Sequence, residues 1–564
     1  MKTINLNKDQ QRAVELAGSN ILVFASAGGG KTTVLIERLL KRIIKDQISI
    51  DKIIAMTFTE AAASNLKNRL LKRLKETIND TDDEILKDYL LDELSKVSNA
   101  RISTIHSFCL SIVKEYYYLA GITLKSTTNI IDEVTKNQVI DDILNRIINN
   151  HLLNNDLDIM PLLKNLSFEL FAFNTLKDMI ISLFNKANEK LRPFEYLDNL
   201  YLKDDISSFN DLNDEIKEVY LSEIRNYIKA IISEYQKITE LDDIDDPSPY
   251  LLITDELNKL LKTDDYPLLL EGIKNNLRGI KAPRGNEEFK KIKVQIDDLC
   301  LELSSLLMSS KMIVKTENAA RPLNNTLITL ASELLKEYDV YKHQNETIDF
   351  NDFEHYAYNI LTYDNYRIAK EYQNYYKEIM IDEFQDTNDI QFEIASMISN
   401  HNLFLVGDIK QSIYRFRGAK PGIMNSLKSN PDFISVNIRN NYRSKTNLVS
   451  FNNELFNTVM NINDTAFNEE DFQIADTEKQ LTDNIEVRFD NYIGEDINDD
   501  TRATLLAHRI TQEHAKGTAF KDIAVLVRSH NEKINIKKVF DNLHIPYYIN
   551  DNNGYFNSYA IEIL

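Results

Sequence analysis

Ile21-Leu-Val-Phe-Ala-Ser-Ala-Gly-Gly-Gly-Lys-Thr32 passes from an apolar run to three glycines, and then to Lys31 and Thr32. Ile21 to Phe24 read as a buried strand. Val34-Leu-Ile36 with Leu39-Leu40 opens a helix directly afterwards. Strand, tight loop and helix together form the setting of a phosphate-binding loop. Glycines let backbone N–H groups turn toward a polyphosphate, and the helix adds its positive end. The segment Ala25, Ser26, Ala27, Gly28, Gly29, Gly30, Lys31, Thr32 and Thr33 is therefore the expected nucleotide cradle. Lys31 is placed to reach the β- and γ-phosphates of ATP, and the Thr32 hydroxyl to hold Mg²⁺. Ala25 stands where such loops commonly carry a first glycine. Alanine tolerates unusual backbone angles less well, so the turn there must avoid a left-handed shape. A Gly-rich turn beside a helix is the plain alternative.

A distant acidic partner favours the phosphate loop. Glu378-Ile-Met-Ile-Asp-Glu383 reads as an apolar strand ending in two carboxylates. Side chains of consecutive strand residues diverge, so Asp382 is assigned to the metal and Glu383 to the attacking water. A Lys-Thr loop paired with this acid pair points to nucleotide hydrolysis rather than binding alone. The next strand, Asn402-Leu-Phe-Leu-Val-Gly-Asp408, is followed by Gln411, whose neutral amide is placed to sense the γ-phosphate. Gln411-Ser-Ile-Tyr-Arg-Phe-Arg-Gly-Ala419 interleaves aromatic and basic residues. Tyr414 and Phe416 suit base stacking, with Arg415 or Arg417 near phosphate or a carboxylate; core packing is the alternative for Tyr414. Arg443 lies beyond the first sheet. It reads either as a group that neutralises charge on the transferring phosphoryl or as a surface helix cap. Tyr442 beside it suits adenine stacking.

The 564 residues exceed one ordinary core, so two to four domains are expected. Glycine and proline number only 14 and 10, which favours long helices over a turn-rich β architecture. Net charge is −21, which argues against a nonspecific nucleic-acid binder while leaving room for a narrow basic track. The two cysteines, Cys109 and Cys300, build neither a disulfide framework nor a four-thiolate metal site. A reducing, cytoplasmic compartment follows as the default. The first residues lack the apolar run of a signal peptide. No run of eighteen apolar residues occurs, so no membrane partner is expected.

Along the chain, Leu6 to Leu16 reads as a helix capped by Asn7. A glutamine in it is either an adenine reader, through its paired donor and acceptor, or a plain surface residue. Lys52-Ile-Ile-Ala-Met-Thr-Phe-Thr59 reads as a second strand. Arg101 to Phe108 reads as a third, with Thr104, His106 and Ser107 near its end, where open α/β sheets place ligands. The resulting fold class is α/β: a P-loop motor domain with a large all-helical insertion, then an incomplete second domain. Residues 1–114 form the first part of the motor domain and 115–345 the helical insertion. Residues 346–435 form the second part, and 436–564 begin the second domain. That last part is expected to hold a helix from about Lys445 to Phe456 and strands near 484–490, 523–528 and 544–549.

Seven pieces in order resemble one family: Leu6 to Val14, Ala25 to Thr32, Thr57 to Ala63, Ile102 to Cys109, Ile381 to Thr387, Val406 to Ala419, and Asn441 to Ser444. The chain is similar to superfamily 1 DNA helicases of the UvrD/Rep type, and among them to AddA-type subunits of helicase–nucleases. The resemblance implies that the motor domain is RecA-like and the incomplete second domain RecA-like too, that Gln10 contacts adenine and that Gln385 sits near the attacking water. It also implies that Gln411 couples ATP to DNA and that Tyr442 and Arg443 serve adenine and γ-phosphate. Thr57, Phe58, Thr59, Thr104, His106, Tyr414, Phe416 and Arg417 would bind DNA. It further implies 3′→5′ translocation on single-stranded DNA, duplex unwinding and double-strand-break repair with an AddB-like partner. Phe416 occupies a place often taken by Trp in UvrD-like relatives. Later helicase motifs, a second arginine and a nuclease metal site are not found. The chain therefore reads as the first half of an AddA-like protein, expected to bind ATP with poor turnover. Two other functions use the same loop: a small-molecule phosphotransferase, which would ignore DNA, and an ATP-gated binding module, which would not hydrolyse.

Overall fold

The computed structural model describes residues 6–549, apart from 155–158, 166–171, 213, 240, 242, 243, 245, 277–286, 416, 417, 461–466, 476–486 and 488–498. Two compact units divide the chain, Met1–Asp483 and Asn484–Leu564.

Six parallel strands form the centre of the first unit: β1 (Asn20–Ala25), β2 (Ile53–Thr57), β3 (Arg101–Thr104), β4 (Glu378–Ile381), β5 (Leu403–Gly407) and β6 (Phe433–Ile438). Their order across the sheet is β3-β2-β4-β5-β1-β6. Register sets Val23 beside Val406 and Met56 beside Ile381. Strands buried on both faces need unbroken apolar runs, and β2, β4 and β5 are buried at every residue. Leu22, Ile54, Ile379, Ile381 and Leu405 pack on one face with the helices Ile105–Tyr116 and Phe350–Tyr375. Ile21, Val23, Met380, Phe404 and Val406 pack on the other with the helices Lys31–Ile44 and Glu60–Asp80. β6 carries the sheet across residue 435, where the sequence reading divides the motor domains.

The helical insertion holds two apolar cores. Leu144, Ile148, Leu176, Ile180 and Phe184 pack against Leu330, Leu334 and Tyr338. Ile228, Ile231 and Tyr235 pack against Leu257, Tyr266 and Phe289. The long helix Ser310–Gln344, with Pro322 inside it, serves both, giving Ile313 to the second core and Leu330 to the first. The insertion rejoins the motor through buried ion pairs, Lys136–Asp349 at 3.0 Å and Lys342–Asp352 at 2.5 Å.

Several expected boundaries shift. Thr104 accepts the Ser107 N–H and starts the helix Ile105–Tyr116, so His106, Ser107 and Phe108 lie in a first helical turn rather than on a strand. The 484–490 strand lies outside the described residues except for Val487. Ile523 to Val527 form no strand; Leu526 is 96% exposed, with no neighbouring strand among the described residues to complete a ladder. The 545–549 stretch likewise forms no strand. In the second unit, the described helices Asp499–Ala515 and His530–Asn542 share a small core of Ala507, Ile510, Phe540 and Ile545. Among the described residues no helix is long and apolar enough to cross a membrane.

Candidate nucleotide site

β1 ends at Ala25 in extended backbone, which is why alanine is tolerated there. The left-handed angles fall instead on Gly28 and Gly30, at φ +77° and +83°, where a side chain is disfavoured. Gly30 caps the helix Lys31–Ile44, which places Lys31, Thr32 and Thr33 in its first turn. Amides of a first helical turn have no intrahelical acceptor.

The loop is clasped from outside. Asn441 Nδ2 donates to Ala27 O at 3.0 Å, the Tyr442 N–H to Gly28 O at 2.9 Å, and Gln10 Nε2 to Gly29 O at 2.9 Å. With three successive carbonyls held outward, the loop can offer its N–H groups to an anion. Gln10 is buried, and its Oε1 accepts the Asn7 N–H in a capping box. Gln11 is exposed and bonds Glu15. Asn7 Nδ2 donates to the Tyr442 hydroxyl at 2.8 Å, tying this helix to the Asn440–Arg443 segment. A Cβ on Gly28 would come within 2.5 Å of Asn441 Oδ1 and 2.9 Å of Arg443 Cβ. Tyr442 and Arg443 therefore lie against the loop within the same compact unit. Arg443 is exposed, and its backbone N–H is held by Asn441 Oδ1.

Lys31 and the acid pair meet. Lys31 Nζ lies 2.6 Å from Glu383 Oε2 and 3.5 Å from Gln411 Oε1. Gln385 Nε2 donates to Glu383 Oε2 at 2.8 Å, and Gln385 Oε1 accepts the Asp408 N–H at 2.8 Å. Gln411 Nε2 donates to Asp408 Oδ2 at 2.6 Å. A closed polar ring therefore runs Lys31, Glu383, Gln385, Asp408, Gln411. The acids diverge for a different reason than strand alternation. β4 stops at Ile381, and Glu383 takes φ 52°, ψ 44°. A non-glycine residue at such angles stores strain, and strain of this kind gathers at functional sites. Asp386 is also drawn in; its buried Oδ1 has no hydrogen-bond partner among the described residues.

The electrostatics suit a cation. Desolvation, and then the charge of Glu383, push the Asp382 carboxyl up to about 6; the same causes push Asp386 up to about 6. Burial also raises Asp408. Two adjacent carboxylates beside a single lysine, facing a glycine cradle, fit a divalent cation with a triphosphate. Thr32, in the first turn after the loop, and Asp382, beside Glu383, are the residues the sequence reading expects to hold the metal. The folded-state value of Asp382 lies above its ordinary 3.8, so folding disfavours its charged form. Stability without metal is then fullest below about pH 4 and declines as pH rises through 6, by about 2–3 kcal/mol for this group. Asp382→Asn is expected to melt higher than the parent chain at pH 7.5 in EDTA and no higher near pH 4. Differential scanning calorimetry at both pH values checks this, and equal melting at pH 7.5 would contradict it.

The expected DNA residues gather at the carboxyl ends of β2 and β3 and after β5. The rings of Phe58 and Tyr414 are 4.3 Å apart and tilted by 33°, both half-buried. Thr57 and Thr104 are buried. Thr57 Oγ1 donates to Thr59 O, while Thr104 Oγ1 donates to Glu60. Thr59 caps the helix Glu60–Asp80. His106 is partly exposed, with Nε2 3.3 Å from Glu354 Oε1. Phe416 and Arg417 lie outside the described residues. The sequence reading missed Asn441, Asn7 and Asp408 as groups that hold the site. The sequence marks Asn7 only as a helix cap, and Asp408 and Asn441 stand within the quoted motifs without a role.

Comparison with known proteins runs the same way. The model of the UvrD/REP helicase N-terminal domain matches residues 6–432, and that of the UvrD-like helicase C-terminal domain matches residues 436–563. The chain is 28% identical to an ATP-dependent helicase/nuclease subunit from Pediococcus pentosaceus, over 98% of its own length and 49% of the relative's. The proteins of the same description from Staphylococcus epidermidis and Ligilactobacillus salivarius are 27% and 28% identical with the same coverage. The chain spans about half the length of the curated relatives it matches. Since the first domain model alone covers well over half of the residues, and the sheet, loop and acid pair stand where such a domain needs them, the chain belongs to the UvrD/REP helicase family.

Proposed function

We propose that this chain is the motor portion of an AddA-like, ATP-dependent DNA helicase. It would couple ATP hydrolysis to 3′→5′ movement on single-stranded DNA during double-strand-break repair, beside an AddB-like partner protein. The observation that carries the reading is the approach of Lys31 Nζ to Glu383 Oε2 at 2.6 Å, at the carboxyl edge of a parallel sheet. The four-part division at residues 114, 345 and 435 is proposed with it. Two unpaired cysteines support a cytoplasmic setting.

In this reading Lys31 leaves Glu383 for the β- and γ-phosphates when ATP enters. Thr32 and Asp382 would hold Mg²⁺, which would neutralise phosphate charge when bound. Glu383, oriented by Gln385, takes the proton of the water whose oxygen attacks the γ-phosphorus. The bond from that phosphorus to the bridging oxygen breaks, and ADP and phosphate leave. Arg443 meets the charge on the transferring group, Tyr442 and Gln10 face adenine, and Gln411 passes the phosphate state to the Tyr414 loop. Phe58, Thr59, His106 and Tyr414 line the single strand, with Thr57 and Thr104 shaping its floor; Phe416 and Arg417 are assigned to DNA from the sequence alone.

Turnover measured with and without single-stranded DNA tests the reading. Acceleration by DNA is expected. Turnover indifferent to DNA would favour a small-molecule phosphotransferase. Tight nucleotide and DNA binding without hydrolysis would favour an ATP- and DNA-binding unit lacking autonomous helicase activity. Duplexes with a single 3′ or 5′ tail test direction. Base stacking contributes about 1–3 kcal/mol per base. Tyr414→Ala is therefore expected to weaken oligo(dT) binding about five- to 150-fold in fluorescence anisotropy, with ATP affinity little changed. Unaltered oligo(dT) affinity would place Tyr414 in packing alone.

A further inference from the structure

We propose that Glu354 is a positioning residue that couples the single-strand path to the nucleotide site. The inference rests on the reading above that His106 faces DNA. Glu354 lies on the helix Phe350–Tyr375 and is only 4% exposed. Its Oε1 accepts the Gln391 amide at 2.6 Å and stands 3.3 Å from His106 Nε2. Its Oε2 accepts the Asn388 amide at 2.9 Å.

These three partners belong to two different places. Asn388 and Gln391 form the capping box that starts the helix Asp389–Met397. That box follows directly on the Phe384–Asp386 turn, which carries Gln385 and its contacts to Glu383 and Asp408. The Thr387 carbonyl, between turn and box, accepts the Lys420 N–H, so the far end of the Tyr414 loop is fixed there too. His106 stands in the first turn after β3, with 40% of its side chain open to solvent. One buried carboxylate thus touches the expected DNA face and the frame of the acid pair.

A buried carboxylate needs its donors, because losing one leaves its charge poorly compensated. A DNA phosphate that draws the His106 ring outward removes the ion-pair contact that the protonated ring makes with Glu354, and the two amides that hydrogen-bond the carboxylate must adjust. Both belong to the box that sets the Phe384–Asp386 turn. The carboxylate has little freedom to follow, since the next residue, His355, is anchored through Nε2 to the Asn188 carbonyl of the insertion. Glutamine at 354 would keep the volume, remove the charge and set an N–H₂ group against the existing donors.

The test measures linkage, which is reciprocal between two sites. Affinity for methylanthraniloyl-ATP with Mg²⁺ is measured on the full 564-residue chain, with and without saturating oligo(dT). The parent chain is expected to show a change of about fivefold or more. Glu354→Gln is expected to bring that factor below about twofold, with nucleotide affinity in the absence of DNA close to the parent's; its melting temperature falls, because a buried amide donor then faces an N–H₂ group. A residue that only supports the fold would instead lower both affinities together and leave the factor standing. His106→Gln leaves both amide contacts of Glu354 in place, so it is also expected to reduce the factor. It answers the question if Glu354→Gln does not fold. The double variant is expected to be no worse than either single one. A parent-like factor in a folded Glu354→Gln, or in His106→Gln, overturns the proposal. A parent chain that binds nucleotide and DNA with no linkage between them removes the coupling to be explained and overturns it as well. A parent chain that binds no oligo(dT) is the separate outcome in which the DNA reading itself fails, and the proposal falls with it.

Discussion

Glu383→Gln is expected to slow ATP turnover by about 10²–10⁴-fold, the usual worth of a positioned general base, while holding or tightening ATP binding. The two effects part because Glu383 has two connections. One is to the water it would deprotonate. The other is to Lys31, whose Nζ is 2.6 Å away and whose side chain is only 11% exposed. Before Lys31 can meet a phosphate, it must give up this carboxylate, so in the resting site Glu383 competes with the incoming nucleotide. Glutamine removes the competing charge and keeps the hydrogen-bonding shape toward Gln385. It also removes the second of the two causes that raise Asp382, so Asp382 ionises more readily and becomes a better cation ligand. Methylanthraniloyl-ATP titration with Mg²⁺ and a phosphate-release assay measure the two quantities separately. A tenfold loss of affinity would show that the Lys31–Glu383 pair supports the nucleotide rather than competing with it.

Parts of this site can be read from the chain and parts cannot, and the difference is physical. The run Ile21 to Phe24, followed by three glycines, announces a buried strand and a tight loop because both are local demands of backbone and burial. Asp382 and Glu383 are recognisable because two acids at the end of an apolar run have no place in a core. The meeting of Glu383 with Lys31, 352 residues away, follows only if β4 and β1 end close together on one edge of a parallel sheet, and the order β4-β5-β1, with a single strand between them, supplies that. β6 escaped the sequence reading. Phe433-Ile-Ser-Val-Asn-Ile438 alternates, as an edge strand covered on one face does, and its burial is correspondingly partial. Ile523 to Val527 misled in the opposite direction, since an apolar run specifies a strand only where another strand completes its hydrogen bonds. The clasp on the loop carbonyls and the contacts of Glu354 were illegible for one reason. Asparagine, glutamine and glutamate are common surface residues, and only the folded distances show which of them are buried and bonded.

Lys31→Met is expected to lose ATP affinity by about a hundredfold or more, the cost of truncating one member of a well-desolvated charge pair. The same lysine serves the nucleotide-free protein too. Its charge lowers the carboxyls of Asp382, Asp386 and Asp408 against the burial that raises them. Methionine fills the stem but leaves these acids and Glu383 without their shared cation. In EDTA the variant is therefore expected to melt below the parent chain, and by more at pH 8 than at pH 5. Near pH 5, Asp382 and Asp386, already held at about 6 in the parent, bind protons and the repulsion fades. Adding Glu383→Gln to Lys31→Met separates the two roles. One charge fewer restores most of the melting temperature, but no group remains to meet the β- and γ-phosphates, so ATP affinity stays low. Recovery of both in the double variant would mean that Lys31 acts only by neutralising its neighbours, and the assignment of its amine to the phosphates would fall.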